Sequence, residues 1–440
     1  GYYSGFATTT AVDCTFLGVA AGAFCTTGDS STFVGYRAGQ GITGAKLTGN
    51  NNTAVGKDAG LLLQGAAAEN CIFGALAGDA ITTGGENCLF GMGAGGSIQT
   101  SIRNTFFGDD AGNTCTTGDS NVAMGHAAMG QGVTTGDFNV AIGFTAGATL
   151  TSGTLNTVMG KNAGGSINTG TQNTFVGALA GDATDDGLNN TAVGYGALSA
   201  NCTNENVAVG ASALLISTSG RNTAVGMGAG DANTTGGGNV YIGYDCAAYQ
   251  NDATSGADNT YVGAFARPSA ATVGSEIAIG RYVLGQGTLT ATLGINGNGA
   301  TISIDGSDTS WAAHSDERLK ENITTSTAGL SFINDLRPVT YTWKAKNAIS
   351  EDFVNYYDAD STDPINGVAG KTYHGFVAQE MKATIDAHSE VENGNNLWAE
   401  RVDDIQQLAP SNLVPMLVKA IQEQNALIEA LTARIEALEG

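Results

Sequence analysis

Proline is almost missing from the first 314 residues of this 440-residue chain: one of its five prolines falls there, together with 59 of its 65 glycines. Charge is scarce there too, with 29 charged side chains in those 314 residues against 30 in the remaining 126. Two different polymers therefore meet near Ser315. Lysine and arginine are few (18 against 41 acidic residues, net charge −23), which excludes a nucleic-acid surface, since phosphate contacts need clustered basic side chains. No apolar run approaches the roughly 20 residues needed to cross a bilayer, so no membrane insertion is expected. Gly1 opens the chain with neither an initiator Met nor a secretory leader, which predicts a fragment or a processed chain. The seven cysteines (Cys14, Cys25, Cys71, Cys88, Cys115, Cys202, Cys246) form no CxxC pair and accompany only four histidines, so neither a metal site nor a redox motif is expected, and no cofactor. They read as small buried apolar residues. Their odd number speaks against a complete disulfide framework and fits assembly in a reducing host cytoplasm.

What the chain has is a repeat. The motif N-T-x-V-G-x-x-A-G centres on Gly18, Gly35, Gly56, Gly74, Gly91 and Gly108 and continues to Gly280, sixteen copies in steps of 16 to 21 residues, most often 17. Asn stands four residues before the glycine in thirteen copies, from Asn52 to Asn259; Cys14, Ser31 and Glu276 are the exceptions. The residue before the glycine is always apolar, as at Val34, Phe73, Ile142 and Val225. Each copy is thus a short strand ended by glycine, and a strand of four or five residues gains stability only by stacking on the next copy. The expected fold class is mainly β: a repetitive parallel β-solenoid or β-roll of about 17 residues per coil over residues 1–295, with the Asn side chains hydrogen-bonded in a ladder along its axis.

The motif resembles the head repeats of trimeric autotransporter adhesins. A 17-residue period is short for a wide single-chain coil and aromatic residues are sparse, so a trimer with a shared core is expected. The long insertions Gly39 to Asn52 and Asp245 to Asn259 are the expected places of receptor contact. Asp109, Asp110, Asp182, Asp185 and Asp186 could supply a carboxylate pair for glycoside hydrolysis, but their position in turn sequences favours ordinary turn-forming roles. After Gly280 the repeat decays, and residues 296–314 read as a neck linker.

From Ser315 the text changes. On residues alone, Ser315 and Asp316 read as a helix N-cap with Arg318 and Lys320 solvated on the first turn, and His314 and His374 as ordinary surface or packed histidines. Val339, Tyr341 and Trp343 alternate with polar neighbours as a half-buried strand does, and Gly375 to Ala378 reads as a second, more buried strand; both are expected in the core of an α+β domain. Ser350 to Lys371 reads as a polar insertion. Over residues 414–439, Leu417, Ile421, Gln424, Ile428, Leu431, Ile435 and Leu438 follow steps of four and three, a coiled-coil seam. An amphipathic helix packed on its own domain fits the same pattern.

The string His314-Ser315-Asp316-Glu317-Arg318-Leu319-Lys320-Glu321-Asn322-Ile323, then Leu336 to Lys344 and Gly375 to Glu380 in that order, resembles the C-terminal intramolecular chaperone and auto-processing domain of phage tailspikes and tail fibres, a self-cleaving serine peptidase family of the endosialidase-tailspike type. The resemblance spans residues 315–440. It implies a homotrimer whose chaperone domains template the upstream fibre, after which a Ser/Lys dyad cuts the chain before the serine. Carried onto this sequence, the dyad is Ser315 and Lys320 and the cleaved bond is His314–Ser315. A serine hydroxyl becomes nucleophilic when a base takes its proton, and lysine serves as that base in other Ser/Lys sites.

The expectation is therefore a viral tail fibre or tailspike, located in the virion and contacting a host cell-surface receptor, glycan or protein. The alternatives are a glycan-degrading tailspike, which needs a carboxylate pair the sequence does not single out, and a trimeric surface adhesin with a non-cleaving chaperone tip.

Overall fold

The computed structural model describes residues 1–248, 253–307, 315–352, 357–366, 368–391, 397–400 and 405–439. The chain forms two compact units, Gly1–His314 and Ser315–Gly440.

The first unit is a parallel β-solenoid. Sixteen three-residue strands, β1 (Thr15–Leu17) through β16 (Ile277–Ile279), each end at one of the sixteen motif glycines. Consecutive strands pair in parallel and in register, so Thr157, Thr174 and Thr191 stand one above another. Three residues cannot satisfy a 17-residue coil, and the turns continue the ladder. The N–H groups of Gly60, Gly78 and Gly95 donate to the carbonyls of Ala77, Ala94 and Ala111 one coil further on, each at 2.9 Å. The backbone thereby meets its hydrogen-bonding demand through stacking. Two longer strands, β17 (Thr290–Ile295) and β18 (Asn298–Ser303), close the sheet as an antiparallel hairpin, with β17 paired in parallel to β16. The stretch expected as a neck contains the last strand of the same sheet.

Glycine follows each strand for a steric reason. At Gly91 φ is +141°, and a Cβ there would lie 2.1 Å from the carbonyl oxygen of Gly108 in the next coil. Glycines stacked this closely leave no room for any side chain.

Three rows of side chains fill the coil. The middle residue of each strand points inward (Phe33, Ile72, Leu89, Phe106 and Phe175 are fully buried), the alanine of G-x-x-A-G forms a second row, and Leu63, Ile81, Ile98 and Ile167 belong to a third. The small alanine row brings the other two together, so a 17-residue coil closes its own interior. Each coil thus buries these side chains within the one chain.

The Asn row is buried and bonded along the axis. Asn156 donates from Nδ2 to Asn139 Oδ1 at 3.1 Å and to the Gly170 carbonyl at 2.8 Å, and its Oδ1 accepts from the backbone N–H of Asn173 at 3.0 Å. At one end the row is completed by Ser31, whose Oγ accepts from the Asn52 N–H at 3.3 Å. At the other, Glu276 donates its N–H to Asn259 Oδ1 at 2.9 Å. Its fully buried carboxylate accepts from Tyr261 Oη at 2.7 Å, Ser269 N at 3.1 Å and Gly287 N at 2.6 Å. Three donors take the place of water around that carboxylate.

Cysteines do not all sit inside. Cys25, Cys115, Cys202 and Cys246 are buried, whereas Cys14, Cys71 and Cys88 are half-buried, and all seven are free thiols. Cys71 and Cys88 occupy the first strand position, on the outer side of the sheet where most copies have Thr or Val. Burial pushes the Cys115 and Cys246 thiols up to about 12.

Among its described residues the second unit has three α-helices, α1 (Leu330–Asp335), α2 (Ala378–Ala387) and α3 (Val414–Glu439), and two small antiparallel sheets, β19 (Val339–Tyr341) with β20 (Tyr373–Gly375) and β21 (Trp398–Glu400) with β22 (Gln406–Leu408). Its core is Phe332, Met381, Ile385, Leu397, Leu413 and Met416, with Phe376 and Trp398 against it. Two expectations are corrected here. The strand expected over Gly375 to Ala378 ends at Gly375, and Ala378 already begins α2. Tyr341 is exposed and packs edge-on to Trp343 and stacked on Tyr373, so β19 stands outside the core, which the helices supply instead. α3 does two things at once. Met416 and Ala420 are buried in its first turns, and Glu423 accepts from the Leu330 N–H at 2.8 Å, which caps α1. Beyond that point its seam residues Ile428, Leu431, Ile435 and Leu438 are exposed.

Candidate functional site

The residues singled out by sequence stand at the start of the second unit. Asp316 caps a single 3-10 turn, Glu317–Leu319: its Oδ1 accepts from the Arg318 N–H at 2.9 Å, and Lys320 follows in extended conformation. The turn folds the chain back by a few residues, so that positions 315 and 320 face each other. Lys320 Nζ donates to Ser315 Oγ at 2.7 Å. The cap read for Ser315 and Asp316 together belongs to Asp316, which leaves the serine hydroxyl to the lysine.

Arg318, expected as a solvated cation, instead grips Asp316 with Nε at 3.0 and 3.1 Å and a terminal nitrogen at 2.5 Å. The Arg318 side chain and its backbone N–H hold the Asp316 carboxyl below the usual range, and the nearby Lys320 charge acts in the same direction. With Asp316 engaged by Arg318, the lysine amine is left to the serine. Sequence reasoning overlooked this pairing because two residues apart on a turn look like independent solvated charges. Ser315, Asp316, Arg318 and Lys320 are all exposed. His314 lies outside the described residues.

His374 lies elsewhere, on β20 opposite Thr340, beside a groove of about 530 Å³ lined also by Pro338, Phe376 and Pro410. The histidine that does carry a network was not singled out by sequence. His388, just after α2, bridges Asp335 Oδ2 from Nε2 at 2.9 Å and Glu390 Oε1 from Nδ1 at 2.8 Å, with its ring edge-on to Phe332. Its hydrogen bonds to the carboxylates of Glu390 and then Asp335 raise its pKa. Only the fold brings Asp335 to it, from 53 residues away.

In the solenoid Asp109, Asp110, Asp182, Asp185 and Asp186 lie in turns and bends. Asp110 accepts from Asn113 Nδ2 at 3.2 Å, Asp109 lies 3.7 Å from His126, and Asp182 accepts from the Ser199 hydroxyl. Asp119 and Asp137 brace the stack by accepting backbone N–H groups of Ile102 at 2.8 Å and Asp119 at 2.7 Å. Among the described residues no group of three His, Cys, Asp or Glu side chains could hold a metal ion, and no helix is long and apolar enough to cross a membrane. Of the insertion Asp245 to Asn259, residues 249–252 lie outside the described residues. The insertion Gly39 to Asn52 folds back so that Leu47 is fully buried in the core.

No curated protein and no solved structure matches the chain. Residues 315–389 match the family described as chaperone of endosialidase. The match begins at Ser315, the first residue of the second unit. The chain therefore carries, behind a parallel β-solenoid of sixteen coils, a segment that matches the chaperone-of-endosialidase family.

Proposed function

We propose that this chain is the distal part of a viral tail fibre or tailspike, a structural and host-attachment protein of the virion whose C-terminal unit trimerises the chain and then releases itself by cutting the His314–Ser315 bond. The observation that carries the reading is the 2.7 Å contact of Lys320 Nζ with Ser315 Oγ, formed at the residue where both the family match and the second unit begin.

In the proposed reaction Lys320, in its uncharged form, takes the proton of the Ser315 hydroxyl. The oxygen attacks the carbonyl carbon of His314, and the carbon–nitrogen bond breaks as the Ser315 nitrogen takes up a proton. Water then hydrolyses the resulting ester, giving a carboxylate at His314 and a free amine at Ser315. Nucleophile and carbonyl belong to adjacent residues, so proximity replaces a substrate pocket. Lysines act as bases where burial removes their charge, and both dyad residues are exposed in the single chain. Covering the dyad by assembly would tie cutting to completed folding.

The exposed seam of α3 supports the homotrimer reading, as does the family of the domain before it. The solenoid turns, which vary in length between coils of fixed geometry, are where a host receptor would be contacted. The test is intact mass under denaturing conditions on freshly expressed protein beside Ser315→Ala and Lys320→Ala. Wild-type fragments meeting at His314 and Ser315, with both variants uncut, are expected. An uncut wild type removes the peptidase from the reading.

A further inference from the structure

Along the outside of the solenoid runs an unpartnered apolar stripe. The first and third residues of each strand point away from the core, and at those two positions none of the sixteen strands has Asp, Glu, Lys or Arg. The third position is always apolar, half-buried in eight strands and exposed in the other eight: Phe107 is 55% exposed, Met124 40% and Met159 39%. At Phe73, Phe90 and Phe107 the rings stack at 4.8 and 5.8 Å, an aromatic ladder facing solvent. A scatter of surface apolar residues needs no explanation, whereas an uninterrupted patch marks an interface.

We propose that this sheet face is the surface through which the solenoid packs against a second copy of the same chain. The inference rests on the homotrimer reading above and names the surface that the reading lacks. Three observations favour a copy over another occupant. The first is area: sixteen strands at about 4.8 Å and three residues of about 3.3 Å give a face of roughly 750 Å², close to the roughly 800 Å² per partner of a stable interface. The second is charge. A chain of net charge −23 repels its own copies over most of its surface, and this stripe is free of charged side chains along its whole length. The third is symmetry of supply. α3 presents its own exposed apolar seam in the other unit, so the chain offers an unpartnered apolar surface in each of its two units, as a self-associating chain must.

The native methionines provide the test. The full chain is treated with hydrogen peroxide beside N-acetylmethionine, oxidation is followed by peptide mass spectrometry, and light scattering gives the mass of the same sample. In a trimer packed through this face, Met124 and Met159 oxidise about tenfold or more slowly than the reference, since oxidation follows exposure. A trimer in which both oxidise at the reference rate overturns the docking face while leaving the homotrimer reading intact, and leaves the stripe to a partner of another kind, such as a glycan ring. A monomeric mass overturns both. The variant Ile142→Glu with Val193→Glu, which leaves the core untouched, is expected to abolish the protection of both methionines.

Discussion

The side-chain oxygen of Asn70 accepts two hydrogen bonds from Asn87 in the next coil, from Nδ2 at 3.1 Å and from the backbone N–H at 3.2 Å. One amide thus satisfies two donors of its neighbour, and its own Nδ2 reaches back to Asn52 at 3.0 Å and on to the Gly84 carbonyl at 3.0 Å.

Breaking this row in its middle should weaken the coils on both sides. Asn156→Ala leaves the buried N–H of Asn173 and the Gly170 carbonyl without their partner, and each buried unsatisfied group costs about 1–3 kcal/mol. Hydrogen exchange should rise in the strands beginning at Val140, Thr157 and Thr174 before it rises elsewhere. Unchanged protection there would show that the row contributes no stability.

Gly91→Ala is expected to be among the most damaging single-methyl additions in the chain. It places an L side chain at φ +141° and 2.1 Å from a backbone oxygen, adding a clash to about 1–3 kcal/mol of backbone strain. Gly44→Ala meets no atom within 4 Å and should leave the melting temperature within about a degree of wild type, a surface change of negligible effect.

His388 gives the second unit a pH dependence with a definite sign. Its pKa is raised in the fold by Glu390 and Asp335, so its contribution is full below the ordinary histidine value of about 6.5 and is lost as pH rises through the raised value. Glu390 is lowered by the same contact, and its contribution fades as pH falls through that lowered value. Unfolding followed by tryptophan fluorescence, with Trp343 and Trp398 in this unit, should show the wild type losing its advantage over His388→Gln as the solution turns alkaline. Parallel pH profiles for the two proteins would remove the role.

Ile428→Asp with Ile435→Asp charges the exposed seam of α3 without touching Met416 or Ala420, which hold the helix to its own unit. If the chain forms the proposed trimer, its mass by light scattering should fall or become concentration-dependent in this variant, each buried aspartate costing on the order of 2 kcal/mol or more at a packed interface. An unaltered mass would place self-association outside this helix.

The repeat could be read from the sequence because each coil obeys the same local demand: glycine where φ is positive and the next coil presses close, Asn where a buried amide bridges coils, an apolar residue at the strand centre. Closure of the core within one chain could not be read the same way. It depends on the three rows around Ala77, Ala94 and Ala111 meeting in space, and alanine looks like a weak core residue until its row is seen to be the point of closest approach. The second unit was less legible. Its short strands alternate in sequence without being buried, because α1, α2 and the first turns of α3 cover one another instead. Ser315 and Lys320 were singled out only through the resemblance to a known family, and their 2.7 Å contact follows from a turn set by Asp316. Glu276 and His388 carried little local signal, since Tyr261 reaches Glu276 from the preceding coil and Asp335 reaches His388 from 53 residues away.

In-register stacking also means that every coil presents its successor with nearly the same surface that it receives from its predecessor. A joint between any two coils is therefore much like a joint between any other two. A duplication or loss of one 17-residue unit leaves no mismatched junction, and changes the reach of the solenoid by a single increment of about 4.8 Å. Solenoid length in such a protein can be reset by unequal recombination alone, one rung at a time, without new packing having to be invented.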